Sequence, residues 1–435
     1  MSELTRGGTQ RTAKLVGLPL GFAGRAAVGW GKRLAGADKA EVNAELQAKA
    51  AEQIFAVLGE LKGGAMKVGQ AMSVMEAAIP HQFMGPYREA LAKLQSEAPP
   101  MPATAVHKML SKQLGTTWRE RFESFDDNAA ASASIGQVHR AVWKDGRAVA
   151  VKVQYPGADE ALRADLKALS RMANIVKPFA PGADIGALVD ELTERTEAEL
   201  DYRYEAANQR TFAKSFGDDP NFMIPKVIAS SPKVLVTQWV DGTPLREVIA
   251  SGPQTERDTA AALLTEFELS SPSRTGLLHG DPHPGNFMIA PDGRLIVLDF
   301  GAVAELPDGI PPAVGQILRL ARDEDYPTLF SLLRGEGFIP PELEITPEEI
   351  RRYLAPYVDP LRSERFHFTR EWLQRATNAT LDVRGDRFQT GRMLSMPPSY
   401  VMLFRVLLGI VGISSQMEAE APYRAIMERW TEPTV

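Results

Sequence analysis

Cysteine is missing altogether from the 435 residues of this chain. Its absence excludes disulfide bonds, thiolate metal sites and cysteine nucleophiles, and nothing in the composition indicates an oxidising compartment. Long uninterrupted apolar runs are missing too. Residues 15–30 are apolar but broken by Pro19 and Arg25, and residues 400–413 form a short run that contains Arg405. We therefore predict no membrane-spanning helix: the first stretch is also a poor signal peptide, and the second is expected to be a buried helix.

Surplus positive charge is confined to the start of the chain. The formal net charge is −6, and charged residues make up 24% of the sequence, which is ordinary for a globular protein. Residues 1–40 nevertheless hold seven Lys/Arg and two Asp/Glu. The acidic remainder argues against a nucleic-acid partner. The basic segment could lie on an anionic membrane surface or form a tail. We expect a cytoplasmic protein, which would be peripheral on the inner face of a membrane if the segment binds lipid.

Four parts are predicted along the chain. Residues 41–128 are rich in helix formers and are expected to be a helical extension behind the basic segment 1–40. From residue 129, apolar residues alternate around the Asp145-Gly146 turn, which indicates a β-hairpin, and residues 129–240 are assigned to a small β-rich lobe. Residues 241–435 are predicted to be mostly helical, with one hairpin around Asp292-Gly293. The expected class is α+β.

Two acids and an amide at fixed spacing indicate the chemistry. The motif HGDPHPGN contains Asp281 and Asn286, and the motif LDFG contains Asp299. A catalytic Asp, an Asn five residues later and then D-F-G form the signature of protein kinases. Mg²⁺ prefers the oxygen ligands that Asn286 and Asp299 offer, and Asp281 can orient or deprotonate an attacking hydroxyl or water. The pattern predicts phosphoryl transfer from ATP with Mg²⁺, in a two-lobed protein-kinase-like fold.

A lysine for the α- and β-phosphates is expected on an upstream strand. The segment VAVKV supplies Lys152. Its acidic partner is expected on the following helix, where Asp201 and Glu205 lie four residues apart and would share one face. We predict that Glu205 is the partner. Lys152, Glu205 and Asp281 are thus the predicted catalytic residues.

Two elements of typical kinases are absent from the sequence. No G-x-G-x-x-G precedes Lys152, and a loop rich in alanine and serine stands there, without glycine's access to positive φ. No A-P-E follows Asp299, so a segment that docks a protein substrate is not expected. We predict nucleotide contacts from this Ala-rich loop, from Lys152 and from the connection after the last strand of the small lobe. The loop and connection residues are Ala131, Ser132, Ala133, Ser134, Gln238 and Val240.

Over roughly residues 55–420 the sequence resembles the UbiB/ADCK (AarF-type) atypical kinases. The most specific feature is LKGGAMKVGQAMS, in which Lys67, Gly69 and Gln70 match a K-x-G-Q motif that typical kinases do not have. The Ala-rich loop, VAVKVQYPG, ELDYRYEAANQ and LHGDPHPGNF follow in the family's order. By position, Glu199 and Asp201 match the family's E-x-D pair, which neighbours K-x-G-Q.

The resemblance implies an atypical kinase or ATPase that uses ATP and Mg²⁺ and supports biosynthesis of ubiquinone-like isoprenoid quinones or related lipids, often at a membrane. Isoprenoid lipids or quinone-biosynthesis proteins are the implied partners. It also implies that the K-x-G-Q extension lies over the site where a protein substrate would bind, which gives the K-x-G-Q and E-x-D residues a regulatory role. Two departures, Ser132 among the alanines and Gln238 where an acid is common, leave the nucleotide preference open.

Two other functions fit parts of the pattern. Small-molecule phosphotransferases of the aminoglycoside type also use an H-G-D…N motif and a D-x-G-like motif, but they have no need of a K-x-G-Q extension. A non-catalytic nucleotide-binding scaffold often loses one of the phosphate or metal ligands. The chain retains the full set, which comprises Lys152, Asp281, Asn286 and Asp299. The acceptor of the phosphoryl group stays open at this point.

Overall fold

The computed structural model describes residues 101–133, 135–160, 163, 200–381 and 385–431. The predictions for the basic segment 1–40 and for residues 41–100 lie outside the described residues. So do five of the predicted site residues, which are Lys67, Gly69, Gln70, Ser134 and Glu199.

The first lobe is a five-stranded antiparallel sheet with two helices packed on it. The helix α1 (Ala103–Leu114) ends at Gly115, whose φ of 95° stops it, and a 3₁₀ turn (Trp118–Arg121) follows. Its strands are β1 (Phe122–Ala133), β2 (Gly136–Trp143), β3 (Ala148–Gln154), β5 (Val227–Ser231) and β6 (Val234–Gln238). They are arranged in the order β1-β2-β3-β6-β5.

Alternation along β3 decides which side chains reach the site. Val149, Val151 and Val153 are fully buried against α1 and its neighbours, because successive side chains of a strand point to opposite faces. Lys152 therefore points to the other face of the sheet. The predicted hairpin between β2 and β3 is present, and Gly146 in its turn has a φ of 82°.

The sheet begins earlier than the sequence indicated. Residues 122–128 were predicted to belong to the helical extension, but they form the first part of β1. This strand lies at the edge of the sheet, and its pairing with β2 has three register shifts. Its polar residues face solvent on an edge, so the apolar alternation that marks a central strand is missing.

The helix α2 (Tyr202–Ser215) follows β3 and packs on β5 and β6, so it belongs to the first lobe. The second lobe is mostly helical. Its helices are α3 (Leu245–Ser251), α4 (Gln254–Thr275), α5 (Pro312–Arg322), α6 (Tyr326–Gly335), α7 (Pro347–Arg362), α8 (Arg370–Leu381), α9 (Asp386–Met393), α10 (Pro398–Met417) and α11 (Tyr423–Thr431). A four-stranded sheet joins β4 (Phe222–Met223), β10 (Leu295–Val297), β9 (Phe287–Ile289) and β7 (Thr243–Pro244) in that order. Two further pairs join β8 (Leu277–His279) to β11 (Val303–Glu305), and β12 (Phe366–His367) to β13 (Glu420–Ala421). An antiparallel-sheet lobe followed by a helical lobe confirms the predicted α+β class.

The apolar run 400–413 lies in α10 and packs in the core, as predicted. Within the described part of the chain, α10 is the one helix long and apolar enough to cross a membrane, and 61% of its most apolar window is buried inside the protein. Val406 and Ile410 belong to the same core cluster as Leu269 of α4, and Ile413 belongs to the phenylalanine-rich cluster that contains Phe267. The burial pattern is that of a core helix.

Candidate active site

Lys152 is paired with two carboxylates, one from each lobe. Its Nζ lies 2.8 Å from Glu205 Oε1 and 2.9 Å from Glu205 Oε2, on the first turn of α2. The same Nζ lies 3.3 Å from Asp299 Oδ2, just after β10. Side-chain exposure is 16% for Lys152 and 6% for Glu205 but 31% for Asp299. Asp299 is thus the most exposed member of this group.

The charges of this group set one another's protonation. Burial lowers the pKa of Lys152, but the carboxylates of Asp299 and Glu205 outweigh burial and raise it well above its usual range. Burial raises the pKa of Glu205 to about 7, against the opposing effect of Lys152 and with a further rise from Asp299. The pKa of Asp299 is lowered: burial raises it, but Lys152 and the Gly301 N–H outweigh burial. One ammonium shared by two acids therefore keeps Asp299 ionised at neutral pH.

His279 fixes the backbone of the D-F-G segment through a hydrogen bond. His279 Nε2 lies 2.8 Å from the Asp299 carbonyl oxygen, and its Nδ1 lies 2.9 Å from Glu268 Oε1 on α4. Both side chains are buried, with exposures of 1% and 0%. Burial lowers the pKa of His279, but Glu268 outweighs burial and raises it to about 9. The imidazolium is therefore the form that donates to both oxygens, and it fixes the position of Asp299.

The catalytic-loop residues form a second hydrogen-bonded group. Asn286 Nδ2 donates to Asp281 Oδ2 and to the Asp281 carbonyl oxygen, both at 3.0 Å. Arg405 of α10 donates from Nη2 to Asp281 Oδ1 at 3.1 Å. The hairpin of β9 and β10 joins Asn286 to Asp299, as its two strands were predicted to do. The loop is thus anchored at one end to the same hairpin that carries Asp299.

The donor set suits Mg²⁺. Asn286 directs its amide N–H groups at Asp281, which leaves the amide oxygen for a cation, and Asp299 contributes an ionised carboxylate. Among the described residues, no group of three or more His, Asp or Glu side chains is arranged to hold a metal. Two side-chain oxygens are what Mg²⁺ uses when phosphate oxygens and water complete its coordination. Asn286 and Asp299 therefore fit a metal that arrives with a nucleotide.

The predicted nucleotide loop forms the tip of the β1–β2 hairpin. Ala131, Ser132 and Ala133 are the last residues of β1 and pair with β2 up to Gly136. A Cβ added at Gly136 would lie 2.3 Å from the Val153 carbonyl oxygen, so this glycine permits close packing of β2 on β3. Gln238 ends β6, and Val240 follows in the connection to β7 between the lobes. The loop and the connection thus lie at the two ends of the sheet's central strands.

Asp201 has a different local role from the one its spacing suggested. It was expected to share a helix face with Glu205, but it is the N-cap of α2 and accepts from the Arg203 N–H at 2.9 Å. Its carboxylate also pairs with the Arg203 guanidinium at 2.6 Å. The side chain therefore lies outside the helix that positions Glu205.

Three residues of this region were missed by sequence reasoning. Tyr202 lies beneath Lys152, with its ring centroid 5.0 Å from Nζ, and Glu268 and Arg405 contact the H-G-D motif. Glu268 and Arg405 are 11 and 124 residues from their partners. An arginine inside the apolar run of α10 was the one available signal, because a charge in a buried helix needs a partner.

Comparison with known proteins identifies the family. The model of the ABC1 atypical kinase-like domain matches residues 93–330. A two-lobed kinase-like fold with a lysine–glutamate pair and a D-F-G aspartate defines a protein of the kinase-like class. The chain belongs to the ABC1 atypical kinase-like family, also called UbiB/AarF, as its motifs indicated.

Several relatives support this membership. The mitochondrial atypical kinase coq-8 of Caenorhabditis elegans is 33% identical over 66% of this chain and 39% of its own length. The chloroplastic protein named Activity of BC1 Complex Kinase 3, from Arabidopsis thaliana, is 29% identical over 86% of this chain and 51% of its own length. The chain thus spans about half, or less, of these two relatives. A structure of Rv3197 from Mycobacterium tuberculosis has been solved in complex with erythromycin. Its sequence is 52% identical to this chain, and the TM-score is 0.70. The match covers 91% of this chain and 100% of the Rv3197 chain.

Proposed function

We propose that the protein binds Mg²⁺-ATP and acts as an atypical kinase or ATPase. The observation that carries the proposal is the shared lysine: Lys152 bridges Glu205 and Asp299 across the lobes, beside the hydrogen-bonded pair Asp281 and Asn286. In protein kinases such a lysine–glutamate pair and a D-F-G aspartate have to be in place for phosphoryl transfer. A non-catalytic scaffold has no need of the complete set.

Each side chain has a defined role in this proposal. Lys152 binds the α- and β-phosphates, and Glu205 holds it in place. Asn286 and Asp299 hold Mg²⁺, which neutralises phosphate charge when it is bound. Asp281 orients an attacking hydroxyl or water and accepts its proton. The Ala-rich loop covers the phosphates, and Gln238 and Val240 contact the base.

A regulatory role is proposed for the family-specific motifs. Lys67, Gly69 and Gln70 of K-x-G-Q would limit access to the site, together with Glu199 and Asp201 of E-x-D. Support comes from the motif match itself and from family membership. Asp201 follows the segment that contains Glu199 and lies at the start of the helix that carries Glu205. A change in the E-x-D region can therefore affect the Lys152–Glu205 pair.

The proposed process is biosynthesis of isoprenoid quinones or related lipids. Support comes from relatives that are named as mitochondrial or chloroplastic atypical kinases of the coq-8 and BC1-complex-kinase types. Peripheral membrane contact is proposed through the basic residues 1–40. Lipid profiling of a deletion strain complemented with wild type or Asp299→Asn tests the process. Equal lipid profiles in all strains would reject it.

The nucleotide site is tested by thermal unfolding with and without Mg²⁺-ATP. Asp299→Asn should abolish most of the Mg²⁺-dependent rise in Tm, because it removes the charged metal ligand. Asp292→Asn is the matched control: Asp292 is a hairpin aspartate paired with Arg294, away from the lysine, and the rise should be retained. An unchanged rise in Asp299→Asn would reject the metal assignment.

A second candidate function is macrolide binding. The observation that favours it is the 52% identity to Rv3197, whose structure was solved with erythromycin and which aligns with 91% of this chain. Isothermal titration with erythromycin, in the presence and absence of Mg²⁺-ATP, tests this candidate. We expect binding without nucleotide; no heat change at either condition would remove the candidate and leave the ATP site unaffected.

A further inference from the structure

Both carboxylate oxygens of Asp281 are occupied by neighbouring side chains. Asn286 donates to Oδ2 at 3.0 Å, and Arg405 donates to Oδ1 at 3.1 Å. The asparagine is expected in a kinase-like loop, whereas the arginine comes from α10, at the far end of the sequence. A guanidinium therefore lies at the carboxylate that is proposed to orient the attacking hydroxyl.

The contact is imposed by close packing of α10 on the catalytic loop. A Cβ added at Gly280 would lie 2.5 Å from Met402 Cε, and one added at Gly409 would lie 2.3 Å from Pro282 Cγ. Met402, Arg405 and Gly409 are three and four residues apart, so they share one face of the helix. Arg405 thus lies between two tight contacts that join α10 to Gly280 and Pro282, on either side of Asp281. These contacts fix the position of the Arg405 Cα relative to Asp281.

The charge at this position matches a requirement of phosphoryl transfer. Negative charge is spread over the transferred group, and cations aimed at it lower the barrier. Lys152, the proposed ligand of the α- and β-phosphates, is already paired with two carboxylates. Arginine stays charged at all relevant pH values and presents a planar fork that matches phosphate oxygens. At 50% side-chain exposure, the Arg405 guanidinium is not enclosed and can move away from Asp281.

We propose that Arg405 is a catalytic residue that contacts the transferred phosphoryl group. Without nucleotide its guanidinium rests on Asp281; with ATP bound it moves to the γ-phosphate oxygens and frees Oδ1 for the acceptor. The bond from Pγ to the ADP oxygen breaks as the bond from the acceptor oxygen forms, and the acceptor's proton passes to Asp281. ADP leaves with the electron pair of the broken bond. The proposal rests on the ATP-dependent function proposed above.

The kinetic test compares Arg405→Ala and Arg405→Lys with Arg351→Ala. Arg351 is the matched control, because it is 49% exposed and paired with Glu348 at 2.6 Å on a helix away from the site. Arg405→Ala should lower kcat for ATP hydrolysis by about 100-fold, the usual effect of removing one charge-stabilising donor, with KM for ATP changed little. Arg405→Lys should recover part of the loss, and Arg351→Ala should match wild type. An unchanged or increased kcat in Arg405→Ala would overturn the proposal and indicate a structural or inhibitory contact.

A binding test separates this proposal from the function on which it rests. Wild type and Arg405→Ala are melted with Mg²⁺-ADP and then with Mg²⁺-ADP plus aluminium fluoride, which mimics the transferred group. We expect equal Tm rises with Mg²⁺-ADP and a further rise with the fluoride in wild type alone. Absence of any rise with Mg²⁺-ADP would reject the nucleotide site itself. Equal further rises in both proteins, or none in wild type, would reject the role of Arg405 while leaving that site intact.

Discussion

At the scale of single residues, the site is an arrangement of shared charges. Lys152 neutralises two carboxylates, Arg405 and Asn286 share Asp281, and His279 links Glu268 to the Asp299 backbone. A cation that binds Asp299 must compete with Lys152. Mg²⁺ that arrived together with a nucleotide would relieve this competition, because the phosphates would give Lys152 new partners. Nucleotide and metal should therefore bind cooperatively.

The buried pair Glu268 and His279 gives a prediction about pH and stability. The pKa of His279 is about 9 in the folded protein, above its ordinary value of about 6.5, because Glu268 outweighs the effect of burial. The folded state thus holds a proton that the unfolded chain has released. The stabilising contribution is complete below about pH 6.5 and is lost as the pH rises through about 9. We expect the release of the His279 proton to lower the free energy of unfolding by at most roughly 1.4 kcal/mol per pH unit in this window.

Glu268→Gln should flatten that decline. The amide can still accept from the imidazole, but it has no charge to raise the pKa of His279. Urea unfolding at pH 6, 7.5 and 9 measures the effect. Glu266→Gln is the control on the same helix, because Glu266 pairs with Arg429 at the surface and should keep the wild-type dependence. A decline of equal steepness in Glu268→Gln would contradict the assigned cause.

At the scale of secondary-structure elements, the sequence predicted the features that depend on neighbouring residues, such as tight turns. Both hairpins were predicted from Asp-Gly turns, and Gly146 and Gly293 have φ values of 82° and 88°, which glycine adopts without strain. The start of β1 at Phe122 was not predicted. Its polar sequence has no apolar alternation, since it lies on a bulged edge of the sheet. The pattern alone does not distinguish such a strand from the end of a helical segment.

The contacts of the site also fall into a local group, which the sequence predicted, and a group between distant segments, which it did not. Asp281, Asn286 and Asp299 lie within one hairpin-linked segment, so their spacing in the sequence carried the prediction. Glu268 and Arg405 come from the helices α4 and α10, whose positions depend on packing of the whole lobe. No spacing rule relates these helices to the loop. They could be found only after the lobe was assembled.

At the scale of the whole molecule, the connection from the D-F-G segment to the next helix is short. Strand β11 begins at Val303 and pairs at once with β8, with Val303 opposite His279, and α5 begins at Pro312. The segment is thus folded back onto the catalytic-loop strand. Protein kinases control and dock their substrates with an activation loop at this position. The described structure contains no extended segment between Asp299 and Pro312 that could serve the same purpose.

We therefore predict slow ATP hydrolysis and no phosphorylation of generic proteins. Radiolabelled ATP is incubated with casein and with wild type, Asp281→Asn or no enzyme. Free phosphate should accumulate with wild type alone, because hydrolysis needs only water at the position that Asp281 orients. Labelled casein should not exceed the background without enzyme. Casein labelling that depends on Asp281 would show that protein substrates reach the site by another route, and that the short connection from β11 to α5 does not restrict the acceptor.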